Sequence, residues 1–129
     1  MLGFIGGGLM AEPNPEELFD LGVKSNKAKD YIQAKKYFEK ACDLKYGGGC
    51  NGLGVLYKDG QGVEKDLTKA AQFYSKACDL KDDWGCSFLG GLYYNGDGVK
   101  QDSKKAAALF EKACKLGYKK ACEMLKELR

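Results

Sequence analysis

Apolar residues return along this chain at helical intervals, and the pattern of intervals itself repeats. Behind Asp30 they fall at Ala34, Tyr37, Phe38 and Ala41; behind Asp66 at Ala70, Phe73, Tyr74 and Ala77; behind Asp102 at Ala106, Leu109, Phe110 and Ala113. Steps of three and four put each set on one face of an α-helix. Each aspartate sits where an N-cap belongs, since a short carboxylate can accept hydrogen bonds from the unpaired amides of a first helical turn. A second stripe follows, Cys50, Leu53, Gly54, Leu56 and Tyr57, matched by Cys86, Leu89, Gly90, Leu92 and Tyr93. Gly54 and Gly90 lower helix propensity, so they read either as points of close helix contact or as kinks. Gly60, Gly62, Gly96 and Gly98 then mark turns that lead to the next aspartate.

The offset between copies is 36 residues throughout. Cys42, Cys78 and Cys114 obey it, as do Cys50, Cys86 and Cys122, and the first two copies agree at 17 of 36 positions without a gap. Two helices per period predict an all-α chain. Its architecture is an α/α superhelical solenoid of about three and a half 36-residue helix-pair repeats, in which each unit completes its core against its neighbour. The copies occupy residues 30–65, 66–101 and 102–129 of a single domain over 12–129. Leu18, Leu21 and Gly22 predict a further lead-in helix over about residues 14–25, which brings the total to seven. The last helix, from Tyr118 to Leu128, carries Lys119, Lys120, Glu123, Lys126 and Glu127, as a polar cap on a stack does.

Every cysteine pair has the form C-x(7)-C. Eight residues along one helix span ~12 Å, against the ~4.4–6.8 Å between Cα atoms that a disulfide permits. A turn must therefore intervene, and Gly47, Gly48 and Gly49, Gly85, and Gly117 are placed to supply it. Six cysteines allow ~15 connectivities. The repeat singles out Cys42–Cys50, Cys78–Cys86 and Cys114–Cys122, one disulfide stapling each helix pair. Zinc would want closer spacing and converging ligands, so neither a metal nor a cofactor is expected. Structural disulfides imply an oxidising compartment, hence a secreted or periplasmic protein. Residues 1–11, MLGFIGGGLMA, hold a short apolar run and Ala11 as a small residue but no preceding Lys or Arg. They read as a truncated export signal or as a disordered start, and are too few to span a bilayer.

Composition narrows the function. The 21 basic residues are interleaved with 18 acidic ones for a net charge of +3, which is no nucleic-acid footprint. The absence of His removes Ser-His-Asp and Cys-His nucleophile pairs and His-ligated zinc. Ser25, Ser75, Ser87 and Ser103 are the serines, and none has Lys three residues on.

The pattern A-x-x-x-[FY]-x-K-A-C-x-L-x-x-x-x-G-C-x-x-L-G-x-x-Y-x-x-G-x-G-V-x-x-D, nearly whole from Ala70 to Asp102, resembles the Sel-one-like repeats, cousins of tetratricopeptide repeats. The cysteine pair in each copy is similar to that of the Helicobacter cysteine-rich protein family. That resemblance implies a secreted, disulfide-stapled, right-handed superhelix, described in the family as penicillin-binding with weak β-lactamase activity and as immune-stimulating. Three departures stand out: the chain holds only about three and a half repeats, its first residues lack the basic start of an export signal, and Ala121 replaces the glycine before the cysteine in the third copy.

Positions that vary between copies show where a ligand could sit. Gly48, Asn51, Val55 and Lys58 become Trp84, Ser87, Gly91 and Tyr94, then Lys120, Glu123 and Glu127, all on one helical face. The second helix of each pair commonly lines the concave side of such a superhelix, so Asn51, Lys58, Trp84, Ser87 and Tyr94 form the predicted groove. Aromatic anchors beside small polar residues suit a peptide or small ligand. Otherwise Trp84 merely covers a disulfide and the face is solvated. The expected function is a monomeric recognition module for a peptide, a cell-wall fragment or a host protein, with neither nucleic acid nor membrane as partner. The alternative, implied by the resemblance, is slow β-lactam hydrolysis, for which Ser87 with Lys58 or Tyr94 as proton acceptor is the candidate.

Overall fold

A computed structural model describes residues 13–129, and the reading of residues 1–11 lies outside them. The described residues form seven helices: α1 (Pro15–Lys27), α2 (Tyr31–Asp43), α3 (Gly47–Asp59), α4 (Leu67–Asp79), α5 (Asp83–Asn95), α6 (Ser103–Lys115) and α7 (Lys119–Leu128). Each packs on the next in chain order. No helix among them is long and apolar enough to cross a membrane.

The starts are set by short polar side chains. Asp30, Asp66 and Asp102 accept from the backbone N–H groups of Gln33, Lys69 and Lys105 at 3.2, 3.0 and 3.0 Å. Asn14 and Glu17 close a reciprocal capping box at α1, with Pro15 at the first helical position, and the helix runs on to Lys27, two residues past its expected end. Asp82 caps α5 through the Gly85 N–H at 2.8 Å. Gly60, Gly62, Gly96 and Gly98 all have positive φ, and they form the returns predicted for them.

Three disulfides join Cys42 to Cys50, Cys78 to Cys86 and Cys114 to Cys122, with Cα separations of 4.7, 4.5 and 4.8 Å. Of the turns between them, the last is made by Gly117 as expected and the first two are not made by the expected glycines. Gly47–Gly49 and Gly85 lie inside the first turns of α3 and α5. The turn residues with positive φ are Lys45, Lys81 and Gly117, one per copy at the 36-residue offset. The helical glycines serve proximity. A Cβ at Gly49 would stand 2.7 Å from both the Ala41 Cβ and the Cys42 backbone nitrogen, so its absence lets α3 approach α2 closely.

The second-helix glycines make close contacts, not kinks. Phe38 of α2 lies against Gly22 of α1, Tyr74 of α4 against Gly54 of α3, and Phe110 of α6 against Gly90 of α5. These rings are among the most buried residues of the chain, at 3, 0 and 1% exposure. Each ring belongs to the hairpin that follows its glycine, which lies in the lead-in helix α1 for Phe38 and in the preceding hairpin for Tyr74 and Phe110. Ring and notch thus join successive hairpins, while each disulfide closes a hairpin on itself. The core is accordingly a series of local clusters along the stack.

Candidate functional site

Direct contact between alternate helices runs along the row α1, α3 and α5. Farther along this row, α3, α5 and α7 enclose an open depression of about 290 Å³. Lys58 of α3 stands on one wall, with Lys120 and Met124 of α7 on another. Ser87, Phe88, Gly91 and Leu92 of α5 contribute the middle, and Asn95, Asp97 and Tyr118 complete the lining.

Gly91 is unlike the notch glycines. A Cβ there would meet nothing within 4 Å, so the residue leaves the middle of the depression open at the cost of helix propensity. Beside it runs an aromatic cluster. The Trp84 ring lies 5.9 Å from those of both Phe88 and Tyr118, and Phe88 stands edge-on to Tyr74 at 5.4 Å. Trp84 is half exposed, at 51%. Burial drives the Tyr74 hydroxyl well above its ordinary pKa, with Asp59 adding to the shift, and its oxygen has no hydrogen-bond partner among the described residues.

The residues expected in the groove separate in space. Lys58 and Ser87 line the depression, although Ser87 is only 5% exposed. Trp84 and Tyr94 are exposed outside its lining, with Trp84 reaching it through Phe88 and Tyr118. Asn51 is the correction. It is buried in α3, which contacts α1 and α5 as well as its own hairpin partner, and its Oδ1 is sealed without a partner. The face that varies between copies is therefore not uniformly accessible. Phe88, Leu92, Asn95, Asp97, Tyr118 and Met124 were not picked out from sequence, because helical spacing names a face but not how neighbouring helices close over it.

A hydroxyl nucleophile would need a base within hydrogen-bond reach. Among the described residues no hydrogen bond links Ser87 to Lys58 or Tyr94. No group of three or more His, Cys, Asp or Glu side chains among them could hold a metal. A larger depression, about 500 Å³, lies between α2 and α4, walled in part by Lys36, Lys40 and Lys76. Glu39 and Asp43 stand among these lysines, and no glycine in its lining opens its middle as Gly91 opens the other.

The Sel1 repeat model matches three times, over residues 18–46, 48–82 and 85–118. The structure of Helicobacter pylori cysteine rich protein B superposes with a TM-score of 0.70 at 39% identity, covering 86% of this chain and 94% of that one. The chain is a Sel1 repeat protein of the Helicobacter cysteine-rich family. Its Sel1 solenoid also resembles c5321, a protective antigen of uropathogenic Escherichia coli with an SLR fold, at a TM-score of 0.79 and 29% identity, over 87% of this chain and 25% of that one. Among curated relatives, "Putative beta-lactamase HcpC" of Helicobacter pylori strain 26695 is 71% identical over 59 residues, 46% of this chain and 20% of its own length. "Beta-lactamase HcpA" of strain J99 is 57% identical over 58 residues, 45% of this chain and 23% of its own. These matches span about a fifth of those relatives. A Sel1 stack is a scaffold suited to protein interaction, and its three disulfides point to an extracytoplasmic setting.

Proposed function

We propose that this Sel1 repeat protein is a secreted recognition module that holds a peptide segment of a partner in the depression between α3, α5 and α7. The observation that carries the reading is Gly91. A helix position with free space above it and no packing reason for glycine deepens a depression already bordered by Phe88, Tyr118 and Met124. Half-buried aromatic rings beside a few polar groups suit peptide capture. An immobilised array of random nonapeptides, probed with the oxidised protein and with Gly91→Phe, tests this directly. A set of peptides is expected to bind the parent and release the filled variant. Retention of the same set by Gly91→Phe, or no binding to the array, would overturn the reading.

The relatives' names support a second reading, β-lactam binding with slow hydrolysis, and Ser87 and Lys58 line the same depression. Its signature is a penicilloyl adduct in the intact mass that maps to Ser87 and is lost in Ser87→Ala. Absence of both adduct and turnover would refute it.

A further inference from the structure

We infer that the depression selects a segment carrying a single acidic side chain next to a large apolar one, an inference that rests on the peptide-binding reading above. Two lysines face the site from different helices, Lys58 from α3 and Lys120 from α7, against one carboxylate, Asp97, in the lining. Neither lysine is spent on the fold. The ion pairs found among the described residues are Lys35–Glu39 and Lys115–Glu111, which leaves Lys58 and Lys120 without a carboxylate within 4 Å.

Nor does the repeat require them. The positions equivalent to Lys120 hold Gly48 and Trp84, and the position equivalent to Lys58 holds Tyr94, so each lysine is an individual departure from the repeated pattern. Lys120 also stands where a cation is unfavourable. It lies in the first turn of α7 beside Lys119, at a helix start where Tyr118 provides no side-chain cap. A cation at the positive end of a helix dipole is repelled, and an arriving carboxylate reverses that repulsion into attraction. The free amides of that first turn point the same way.

The apolar half of the specificity comes from the floor. Phe88 and Met124, with the edge of the buried Leu92, line the same depression as Gly91, whose missing side chain leaves open space for a large apolar group. Met conforms to varied shapes, so the floor asks for bulk more than for one residue type. Asp97 sets the limit on charge, since a second acidic group in the bound segment would face it.

Peptides recovered from the nonapeptide array are resynthesised with Glu, Gln or Lys beside their apolar anchor, and their affinities measured by the fluorescence of Trp84, the chain's one tryptophan. The Glu form is expected to bind at least tenfold tighter than the Gln form, the Lys form weakest, with the gap shrinking at high salt. In Lys58→Gln/Lys120→Gln, two exposed substitutions whose folding is checked by circular dichroism, Glu and Gln forms should bind alike. Peptides that bind equally well with Glu and Gln, or a preference that survives in the double variant, would overturn this inference and leave the peptide-binding reading standing. An array that yields no binders overturns both.

Discussion

Gly90 and Gly91 are neighbours in α5, yet alanine at the two positions should move stability in opposite directions. Either substitution removes the entropy penalty of glycine within a helix, a gain of about 1 kcal/mol. At Gly91 nothing opposes that gain, because the new methyl group meets open space. At Gly90 the methyl carbon would lie 2.9, 3.1 and 3.2 Å from Cε1, Cδ1 and Cζ of Phe110. That ring is 1% exposed and enclosed by the next hairpin, so it has nowhere to swing. Overpacking of this kind costs about 1–3 kcal/mol. Because the helical gain is common to both variants, their difference isolates the overpacking and should itself be about 1–3 kcal/mol. Urea unfolding of the oxidised proteins, followed by circular dichroism, resolves this, since with a slope of about 2 kcal/mol/M the midpoints should separate by about 0.5–1.5 M. Gly91→Ala is expected above the parent and Gly90→Ala below Gly91→Ala by that margin. Equal midpoints would show that the ring yields, and that the notch is not what seats one hairpin on the next.

Graded reduction with a phosphine followed by alkylation and mass mapping should label Cys114 and Cys122 first, because both are half-buried at the last hairpin whereas the other four are at most 3% exposed; earlier opening of Cys78–Cys86 would contradict this. Lys81→Gly should raise stability by about 1 kcal/mol, the cost of holding a side chain in the left-handed region, since Lys81 sits at φ 66° where the third copy already has glycine. No gain in the thermal midpoint would mean that the lysine side chain compensates. Burial, followed by the charge of Asp83, raises the Asp82 pKa above its ordinary 3.8 despite the Gly85 N–H, which lowers it. The stabilisation from its protonated form is thus complete below the unfolded value and is lost as pH rises through the folded one. Asp82→Asn keeps a capping oxygen and should flatten that part of the stability profile while matching or exceeding the parent at neutral pH, and a variant with an unchanged acid slope would refute the assignment.

The six helices of the repeats, the caps Asp30, Asp66 and Asp102 and the disulfide partners could be read from the sequence because each is written more than once at a fixed offset, whereas the caps Asn14 and Asp82 have no counterparts in the other copies. The turn residues of the first two hairpins were hidden, although that of the third, Gly117, was not, because a run such as Gly47–Gly49 resembles a loop when a copy is read alone. The aligned copies hold the better signal. Ala121 stands in the column of Gly49 and Gly85, which marks a helical position of close approach, and Gly117 stands in the column of Lys45 and Lys81, which marks a left-handed one. The site was less legible for a different reason. Departures from the repeat identify residues free of the fold's demands, and they led to Lys58, Ser87 and Gly91. Whether such a residue faces solvent depends on how neighbouring helices pack around it, and Asn51 is buried.

The disulfides and the ring-and-glycine notches divide the labour of holding the stack together in a way that matters under tension. Every covalent bridge spans eight residues inside one hairpin, and none crosses to the next. Pulled from its two ends, the oxidised molecule would lengthen by drawing Phe110 off Gly90, Tyr74 off Gly54 or Phe38 off Gly22, while each hairpin stayed clamped at its turn. It is a row of riveted links joined by press fits. Oxidation strengthens the link and leaves the row as easy to pull apart as before, so a partner that seizes one end can peel hairpins away one by one without breaking a single sulfur–sulfur bond.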